Sequence, residues 1–203
     1  MGRPKLGLEL APGEPLGIQP LRALLGCAEV GEVACVVRRL GETEGLYGRL
    51  LASLAGIDDS RLRVMECADA GGGMSRSLRC GVEALEASDC PPDAIVVVLG
   101  DQPFVTSGVL TKLIDGWHRA GCPDYFASSP SDEGEAQPPA LFGKTMFPAL
   151  RGQSGDKGAR QLFRSPEWIG GVMTIADRSI FADADTEEDL QTLRRMWRTK
   201  RGR

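Results

Sequence analysis

The sequence lacks the features that mark membrane proteins, repeat proteins and nucleic-acid-binding proteins. No apolar run approaches the roughly 20 residues that a membrane helix needs, and the first five residues, MGRPK, lack the apolar stretch of a signal peptide. The net charge of −4 gives no reason to expect binding to nucleic acid or to a membrane. No internal repeat is present. A cytoplasmic protein is therefore expected, and 203 residues suit a single domain over 1–203 with a substantial core.

Cysteine and histidine provide no candidate catalytic group. The six cysteines are scattered through apolar segments, and no two have C-x-x-C spacing, so neither a zinc site nor a redox motif is expected. Reduced, buried thiols are the prediction. The only histidine, His118, follows a tryptophan on a predicted helix and is expected to be structural or to face solvent.

The sequence does contain a regular alternation of apolar patterns. Helical spacing occurs over 16–25, 45–54, 75–85, 106–118 and 186–197, and short strands are predicted over 33–37, 62–65, 95–99, 125–128 and 172–175. This alternation implies a parallel or mostly parallel sheet with helices on both faces. Residues 128–139, rich in Ser, Pro, Asp, Glu and Gly, are the most loop-like stretch and are predicted to form a flexible flap.

The strongest predicted strand ends abruptly in Gly100-Asp101. In open α/β sheets, ligands bind at the carboxyl edge of the strands. Because Asp101 has no basic neighbour in the sequence, its carboxylate suits a hard cation such as Mg²⁺, which prefers oxygen ligands. Pro103 then ends the strand, since proline cannot donate to a strand ladder. The sequence thus predicts a metal ligand at a sheet edge.

Two glycine-containing segments precede predicted helices and are candidates for anion binding. Glycines 71–73 run into a helix that begins with Ser75, and free N–H groups there suit an anion or a nucleotide. A flexible cap before the helix is the structural alternative. In residues 155–160, GDKGAR, Lys157 and Arg160 are candidates for a phosphate or substrate clamp. An Asp N-cap with solvated cations is the plain alternative there.

Charged residues near both ends of the chain complete the candidates. Arg3 and Lys5 are two cations in a turn-like context, although basic termini are commonly just solvated. Asp183 and Asp185 alternate in an extended segment, so both side chains point to one side. The structural alternative is that acidic residues are common where a helix begins. The functional interpretation makes one of them the second carboxylate for the metal at Asp101.

Together these segments resemble, in order and spacing, the molybdenum cofactor cytidylyltransferases and the wider family of MobA-like nucleotidyltransferases. That family carries the motifs R-M-G-x-P-K, G-M-S-x-S-L, G-D-Q-P, G-D-x-G-A-R and D-x-D-T-x-E-D-L. The matching segments here are MGRPK at 1–5, GMSRSL at 73–78, GDQP at 100–103, GDKGAR at 155–160 and DADTEEDL at 183–190. The resemblance covers essentially the whole chain, and its most specific parts are GDQP and DADTEEDL.

The resemblance implies a three-layer, Rossmann-like nucleotidyltransferase fold of the GT-A-like type with a mostly parallel sheet. It also implies transfer of CMP from CTP to the terminal phosphate of a molybdopterin-type cofactor, with release of pyrophosphate. The partners would then be CTP, that cofactor, and a molybdoenzyme or its maturation chaperone. The alternatives are a GTP-using or sugar-phosphate-using enzyme of the same fold, and a non-catalytic domain that binds a cofactor or a partner.

The resemblance also suggests a role for each matching residue. Mg²⁺ would be held by Asp101 and Asp185, and the triphosphate would be neutralised by Lys5 together with Arg3. The remaining predicted site residues divide into a group near the base or ribose, Gly73, Ser75 and Ser77, and a group on the acceptor side, Asp156 and Arg160.

The sequence departs from the family pattern in two places. The family's first strand and its L-A-A-G-x-S-x-R loop do not occur, because Met1 falls on the Met of the motif. A start codon assigned too late is the favoured explanation, with a truly shortened protein as the alternative. Two unpaired strand edges are expected as a result. Residues 137–142, QPPALF, replace the usual G-x-P before V-L-F and are predicted to be a substrate-side loop, which leaves the acceptor open.

Overall fold

Helices and strands alternate along the chain. The computed structural model describes residues 5–68, 73–131, 134–155 and 158–201, without the side chains of residues 158 and 160. The helices are α1 (Ile18–Leu25), α2 (Gly45–Ala55), α3 (Met74–Glu86), α4 (Ser107–Arg119), α5 (Phe147–Arg151) and α6 (Glu187–Arg201). The strands are β1 (Glu9–Ala11), β2 (Glu14–Pro15), β3 (Val33–Val37), β4 (Leu62–Glu66), β5 (Ala94–Val97), β6 (Tyr125–Ser129), β7 (Gln137–Gly143) and β8 (Gly170–Thr174). Short 3₁₀ segments lie at Lys5–Gly7, Lys144–Met146, Gly158–Arg164 and Arg178–Phe181.

The described strands form a four-stranded sheet, a parallel pair and a short hairpin. The larger sheet has the order β5-β7-β6-β8. Strand β7 is antiparallel to both of its neighbours, so β5, β6 and β8 share one direction. Strands β3 and β4 pair in parallel, and β1 pairs with β2 antiparallel. The α/β class is therefore confirmed, with mixed sheets: β3–β4 and β6–β8 pair in parallel, whereas β7 and the β1–β2 hairpin are antiparallel.

Strand β7 shows that two predictions about this region were wrong. The sequence predicted a flap over 128–139 and a substrate-side loop over 137–142, but β6 continues to Ser129 and β7 begins at Gln137. The connection is therefore limited to residues 130–136. The sequence hid β7 because Pro138 and Pro139 cannot donate ladder hydrogen bonds, which argues against a central strand.

Side-chain hydrogen bonds accompany the two prolines in the sheet. The buried hydroxyl of Ser128 donates to the Pro139 carbonyl oxygen at 2.8 Å. The side-chain amide of Gln102 donates to the Pro138 carbonyl oxygen at 3.3 Å. The carbonyl groups of this strand therefore have polar partners where the regular ladder is interrupted, as buried backbone requires.

Two helical layers cover the strands. Successive side chains of β5 face opposite ways: Ile95 and Val97 pack in a core cluster with α3 and α5, and Val96 packs in another with α4. Helix α3 also lies against β3, where Gly81 is so close that a Cβ atom there would be 3.3 Å from Val36 Cγ2. Helices α1 and α2 cover the other face of β3. This is the three-layer arrangement that the sequence predicted.

The strands β3 and β5 each pair with one other strand in the described part of the chain. Among residues 94–99, only Ile95 is buried, although this run is the most apolar strand of the sequence. Edge strands are normally short or polar because an open apolar edge can pair with another chain. Residues 94–99 thus have the composition of an interior strand and the pairing of an edge strand.

The disulfide between Cys67 and Cys80 differs from the reduced thiols that the sequence predicted. Cys67 directly follows β4, and Cys80 lies on α3, which packs beside it. Their Cα atoms are 6.3 Å apart, within the range that a disulfide can join. The sequence separation of 13 gave no signal, because only C-x-x-C spacing was informative.

The amino-terminal residues and α6 pack against each other and against the turn after β5. One buried cluster contains Leu8, Phe104 and Ala184 together with apolar side chains of α6. The first turn of α6 is closed by a capping box, in which the Asp189 N–H donates to Thr186 Oγ1 at 3.1 Å and the Thr186 N–H donates to Asp189 Oδ2 at 2.8 Å. The apolar cluster and the capping box together fix the chain segments that carry the polar side chains next to this cluster. Among the described residues, no helix combines the length and apolar character needed to cross a bilayer.

Candidate active site

Three segments that are distant in sequence meet beyond the carboxyl end of β5. Asp101 lies in the turn that follows this strand, Lys5 begins the first 3₁₀ segment, and Asp183 and Asp185 lie just before α6. Leu6, Phe104 and Ala184, one from each segment, belong to or pack against the apolar cluster described above, and this packing brings the three segments together. We call Lys5, Asp101, Asp183 and Asp185 the carboxylate cluster.

Lys5 bridges two of the carboxylates. Its Nζ atom is 2.7 Å from Asp101 Oδ2 and 2.7 Å from Asp185 Oδ1. The side chains of Lys5 and Asp101 are 29% and 18% exposed, whereas that of Asp185 is 74% exposed. Partial exclusion of water strengthens an ion pair relative to the open surface. The bond to Asp101 is therefore the better shielded of the two.

Asp183 completes the cluster. One carboxylate oxygen from each of Asp101, Asp183 and Asp185 lies within 4.8 Å of the others. Oxygens that surround Mg²⁺ at about 2.1 Å are spaced by about 3 to 4.2 Å in an octahedron. Small side-chain rotations would therefore bring the three oxygens to one divalent cation. The sequence predicted Asp101 and Asp185 as metal ligands, and the extended chain on either side of buried Ala184 places Asp183 with them.

The charges of the cluster raise the pKa of two members. Partial burial raises the pKa of Asp183, and the negative charges of Asp101 and Asp185 raise it further. Burial acts to lower the pKa of Lys5, but hydrogen bonds and attraction to the same two carboxylates outweigh it and raise that pKa. Burial is the larger cause at Asp183, and the negative charge of the neighbouring carboxylates contributes to both shifts. An all-oxygen, negatively charged donor set of this kind fits a hard divalent cation.

A second group of predicted residues lies at the start of α3; we call residues 73–77, together with Gly155, the glycine side. Gly73 has φ +105° and ψ 171°, a conformation essentially restricted to glycine. Ser75 is buried, and its backbone N–H donates to the Gly155 carbonyl oxygen at 3.4 Å. The two glycine-containing motifs predicted for nucleotide and acceptor are therefore neighbours in space.

With the fold and the cluster described, the family can be assigned. The sequence profile of the MobA-like NTP transferase domain matches residues 1–169. The chain belongs to this family. It is also 36% identical, over 130 residues, to the purine catabolism protein PucB of Bacillus subtilis (strain 168), a match that covers 64% of this chain and 60% of PucB. The chain thus aligns with only three-fifths of the length of this curated relative.

Solved structures share the fold over nearly the whole length of this MobA-like chain. Rv0371c of Mycobacterium tuberculosis H37Rv, in a complex with manganese, matches with a TM-score of 0.68 and 24% identity, covering 96% of this chain and 93% of that one. The molybdopterin-guanine dinucleotide biosynthesis protein A of Archaeoglobus fulgidus matches with a TM-score of 0.63 and 16% identity, covering 98% and 92%. The nucleotidyltransferase fold predicted from the sequence is therefore confirmed.

The structure describes most of the residues predicted for a MobA-like site. Lys5, Asp101 and Asp185 are brought together, and Gly73, Ser75 and Ser77 are placed on the glycine side, with the Ser77 side chain half-buried. Arg3 and Asp156 lie outside the described residues, as does the side chain of Arg160. The functional roles of all these residues remain predictions.

Gln102, the residue after Asp101, lies next to the carboxylate cluster and was not among the residues predicted from the sequence. Its side chain is 3% exposed, and its amide nitrogen is the donor to the Pro138 carbonyl. Its Oε1 atom is buried and has no hydrogen-bond partner within the described ranges. Buried acceptors are rarely left unpaired. Gln102 ties the turn that carries Asp101 to β7, and its position in the GDQP motif was the only signal in the sequence.

Proposed function

We propose that this MobA-like protein transfers CMP from CTP to the terminal phosphate of a molybdopterin-type cofactor and releases pyrophosphate. The observation that carries the proposal is the carboxylate cluster, at the sheet edge where α/β proteins bind ligands. Family membership supports nucleotidyl transfer as the reaction class. The choice of CTP and of the acceptor rests on the GMSRSL and GDQP motifs, which resemble those of the cytidylyltransferases.

We assign Mg²⁺ as the cofactor, with Asp101 and Asp185 as its ligands and Asp183 as a third carboxylate within reach. A cation held by these carboxylates would supply positive charge to offset the negative charge of the triphosphate during transfer. The manganese in the complex of Rv0371c supports a divalent cation in a protein of this fold. The oxygen-only donor set of the cluster agrees with either ion.

The protein's own contribution is positioning and charge neutralisation. Lys5, with Arg3 beside it in sequence, neutralises the triphosphate. Gly73 and Ser77 contact the base or ribose, and Ser75, whose side chain is buried, supports them from behind. An acceptor phosphate is already ionised at neutral pH, so the reaction needs no general base from the protein.

The acceptor side completes the proposal. Asp156 and Arg160 hold the molybdopterin-type substrate, where the planar guanidinium of Arg160 suits its phosphate. The product then passes to a molybdoenzyme or its maturation chaperone in the cytoplasm. The name of the similar Archaeoglobus fulgidus protein, molybdopterin-guanine dinucleotide biosynthesis protein A, supports a molybdopterin-type acceptor.

A guanylyl transfer is the second candidate, because the name of the similar Archaeoglobus fulgidus protein contains guanine dinucleotide. Pyrophosphate release is measured with CTP, GTP, ATP or UTP, each with Mg²⁺ and with molybdenum-bound molybdopterin, a sugar phosphate or no acceptor. We expect release that requires molybdenum-bound molybdopterin and is fastest with CTP. Faster release with GTP would identify the guanylyl alternative. Release that requires a sugar phosphate would identify the sugar-phosphate alternative, and no release with either acceptor would favour the non-catalytic domain.

A further inference from the structure

We infer that Lys5 is an exchangeable counter-cation: it holds Asp101 and Asp185 until a divalent cation replaces it, and the freed ammonium then binds the phosphates of the nucleotide. The first step concerns only the protein and the cation. The second step rests on the proposed nucleotidyl transfer. The two steps are therefore tested by different measurements.

The position of the Lys5 ammonium implies that it competes with a divalent cation for Asp101 and Asp185. Its Nζ atom is 2.7 Å from an oxygen of each carboxylate, so it occupies the bridging position between Asp101 and Asp185. A divalent cation that joined the same two oxygens would lie about 2.1 Å from each. Two cations held on one pair of oxygens come within about 4 Å of each other and repel strongly where water is partly excluded. Either Lys5 or the metal, but not both, can therefore bridge this pair of oxygens at one time.

The backbone around Lys5 is fixed, so exchange moves only the side chain. The Leu8 N–H donates to the Lys5 carbonyl oxygen at 3.0 Å, and the Gly17 N–H donates to the Leu6 carbonyl oxygen at 2.9 Å. Gly7 packs so closely on the Leu46 carbonyl that no Cβ would fit. The lysine side chain, by contrast, is a flexible four-carbon stem with a compact charge. Its ammonium can therefore leave the carboxylates without a change in fold.

Asp183 gives the incoming cation a first contact. It is exposed, and one of its oxygens lies within 4.8 Å of oxygens of the two carboxylates that Lys5 bridges. A cation that binds Asp183 first is then positioned to take over Asp101 and Asp185 as the ammonium leaves. Because a nucleotide would accept the displaced ammonium, cation and nucleotide should each tighten the binding of the other.

The direct test measures binding of Mn²⁺ without nucleotide by isothermal titration calorimetry. We compare the unaltered protein with Lys5→Met, and with Lys112→Met as a control that makes the same charge change at an exposed position of α4. We expect Lys5→Met to bind Mn²⁺ roughly tenfold more tightly and Lys112→Met to bind as the unaltered protein does. Lys5→Arg keeps the positive charge and should also bind as the unaltered protein does. Unchanged or weaker binding by Lys5→Met would overturn the inference, because Lys5 would then organise the carboxylates rather than compete for them.

A second measurement uses the unaltered protein and does not depend on how a variant folds. The ¹⁵N-labelled ammonium of Lys5 is followed by NMR during a titration with Mg²⁺. We expect the signal of the bridged ammonium to be lost or to shift as the cation binds, and a signal that persists at saturation would contradict the exchange. Pyrophosphate release is scored separately: a protein that shows the exchange but transfers no nucleotide would refute the proposed function and leave the first step standing.

Discussion

The carboxylate cluster and the glycine side are built from different kinds of interaction. In the cluster, side chains from three distant segments meet, and two salt bridges of 2.7 Å join Lys5 to Asp101 and Asp185. On the glycine side, the backbone itself makes the contacts, through the unusual conformation of Gly73 and the hydrogen bond from Ser75 to Gly155. The Cys67–Cys80 disulfide lies beside this second region and joins β4 covalently to α3.

This difference separates the effects expected on activity from those expected on stability. Within the described part of the chain, the ammonium of Lys5 lies among three carboxylates, so repulsion between the carboxylates offsets part of the stability that its ion pairs contribute. The glycine side is fixed by backbone geometry and by a covalent bond whether or not a ligand is bound. Substitutions in the carboxylate cluster should therefore reduce activity. Loss of the disulfide beside the glycine side should instead reduce the free energy of unfolding.

The largest expected effect is that of Asp101→Asn. The amide keeps the shape of the side chain but removes its charge, so pyrophosphate release should fall by about 100-fold or more. The free energy of unfolding should change little, because loss of the ion pair with Lys5 offsets the relief of repulsion with Asp183. Metal-dependent pyrophosphate release and urea denaturation measure the two quantities. Asp115→Asn, at an exposed position of α4, is the matched control. Substantial activity of Asp101→Asn would remove this residue from the metal site.

Opening the disulfide should reduce stability more than activity, the reverse of the effect of Asp101→Asn. The bond closes a loop over a sequence separation of 13, and the loss of a cross-link of that length lowers the free energy of unfolding by about 3 kcal/mol. Dithiothreitol or Cys80→Ser should therefore destabilise the protein while turnover falls far less than in Asp101→Asn. Cys90→Ser, which alters an exposed free thiol, serves as the control. Equal stability with and without reductant would indicate that Cys67 and Cys80 are reduced thiols, as the sequence predicted.

Local patterns predicted the elements that local interactions determine. Strand β3 has the predicted limits of 33–37, and the helix predicted over 106–118 is α4, whose first turn is capped by Thr106 accepting a hydrogen bond from the Val109 N–H. Strand β7 was missed because its prolines argue against a strand, and the side-chain hydrogen bonds that accompany them, from Ser128 and Gln102, depend on tertiary packing. Its neighbours in the sheet, not its composition, make it a strand.

The site was predictable as a set of residue types and not as a set of contacts. The GDQP and DADTEEDL motifs indicated Asp101 and Asp185, and the alternation of the extended chain indicated that Asp183 points the same way. The bridge that Lys5 forms between two of these carboxylates depends on how the amino-terminal segment packs against α6. That packing is tertiary, so the sequence could assign Lys5 to phosphate binding but could not show its partner in the absence of nucleotide.

The smallest expected effect lies at the far end of α6, where Lys200 binds Asp177 at 2.5 Å. Hydrogen bonds from Lys200 and Ser179 lower the pKa of Asp177 to about 2 from the ordinary 3.8. A lowered folded-state pKa means that the carboxylate stabilises the fold above the unfolded value of 3.8 and that this contribution disappears as the pH falls toward 2.

Because the pair is about half exposed, Asp177→Asn should lower the free energy of unfolding at pH 7 by only about 0.5 kcal/mol. The difference from the unaltered protein should shrink between pH 4 and pH 2 in urea denaturation, since the pKa values of 3.8 and about 2 bound that window. A double-mutant cycle with Lys200→Met assigns the loss to the pair. Turnover should not change, because this anchor holds the end of α6 opposite to Asp185. A difference that is constant with pH would show that the loss comes from hydrogen-bond geometry, and a loss of turnover would show that the carboxylate cluster depends on the whole helix rather than on its first turn.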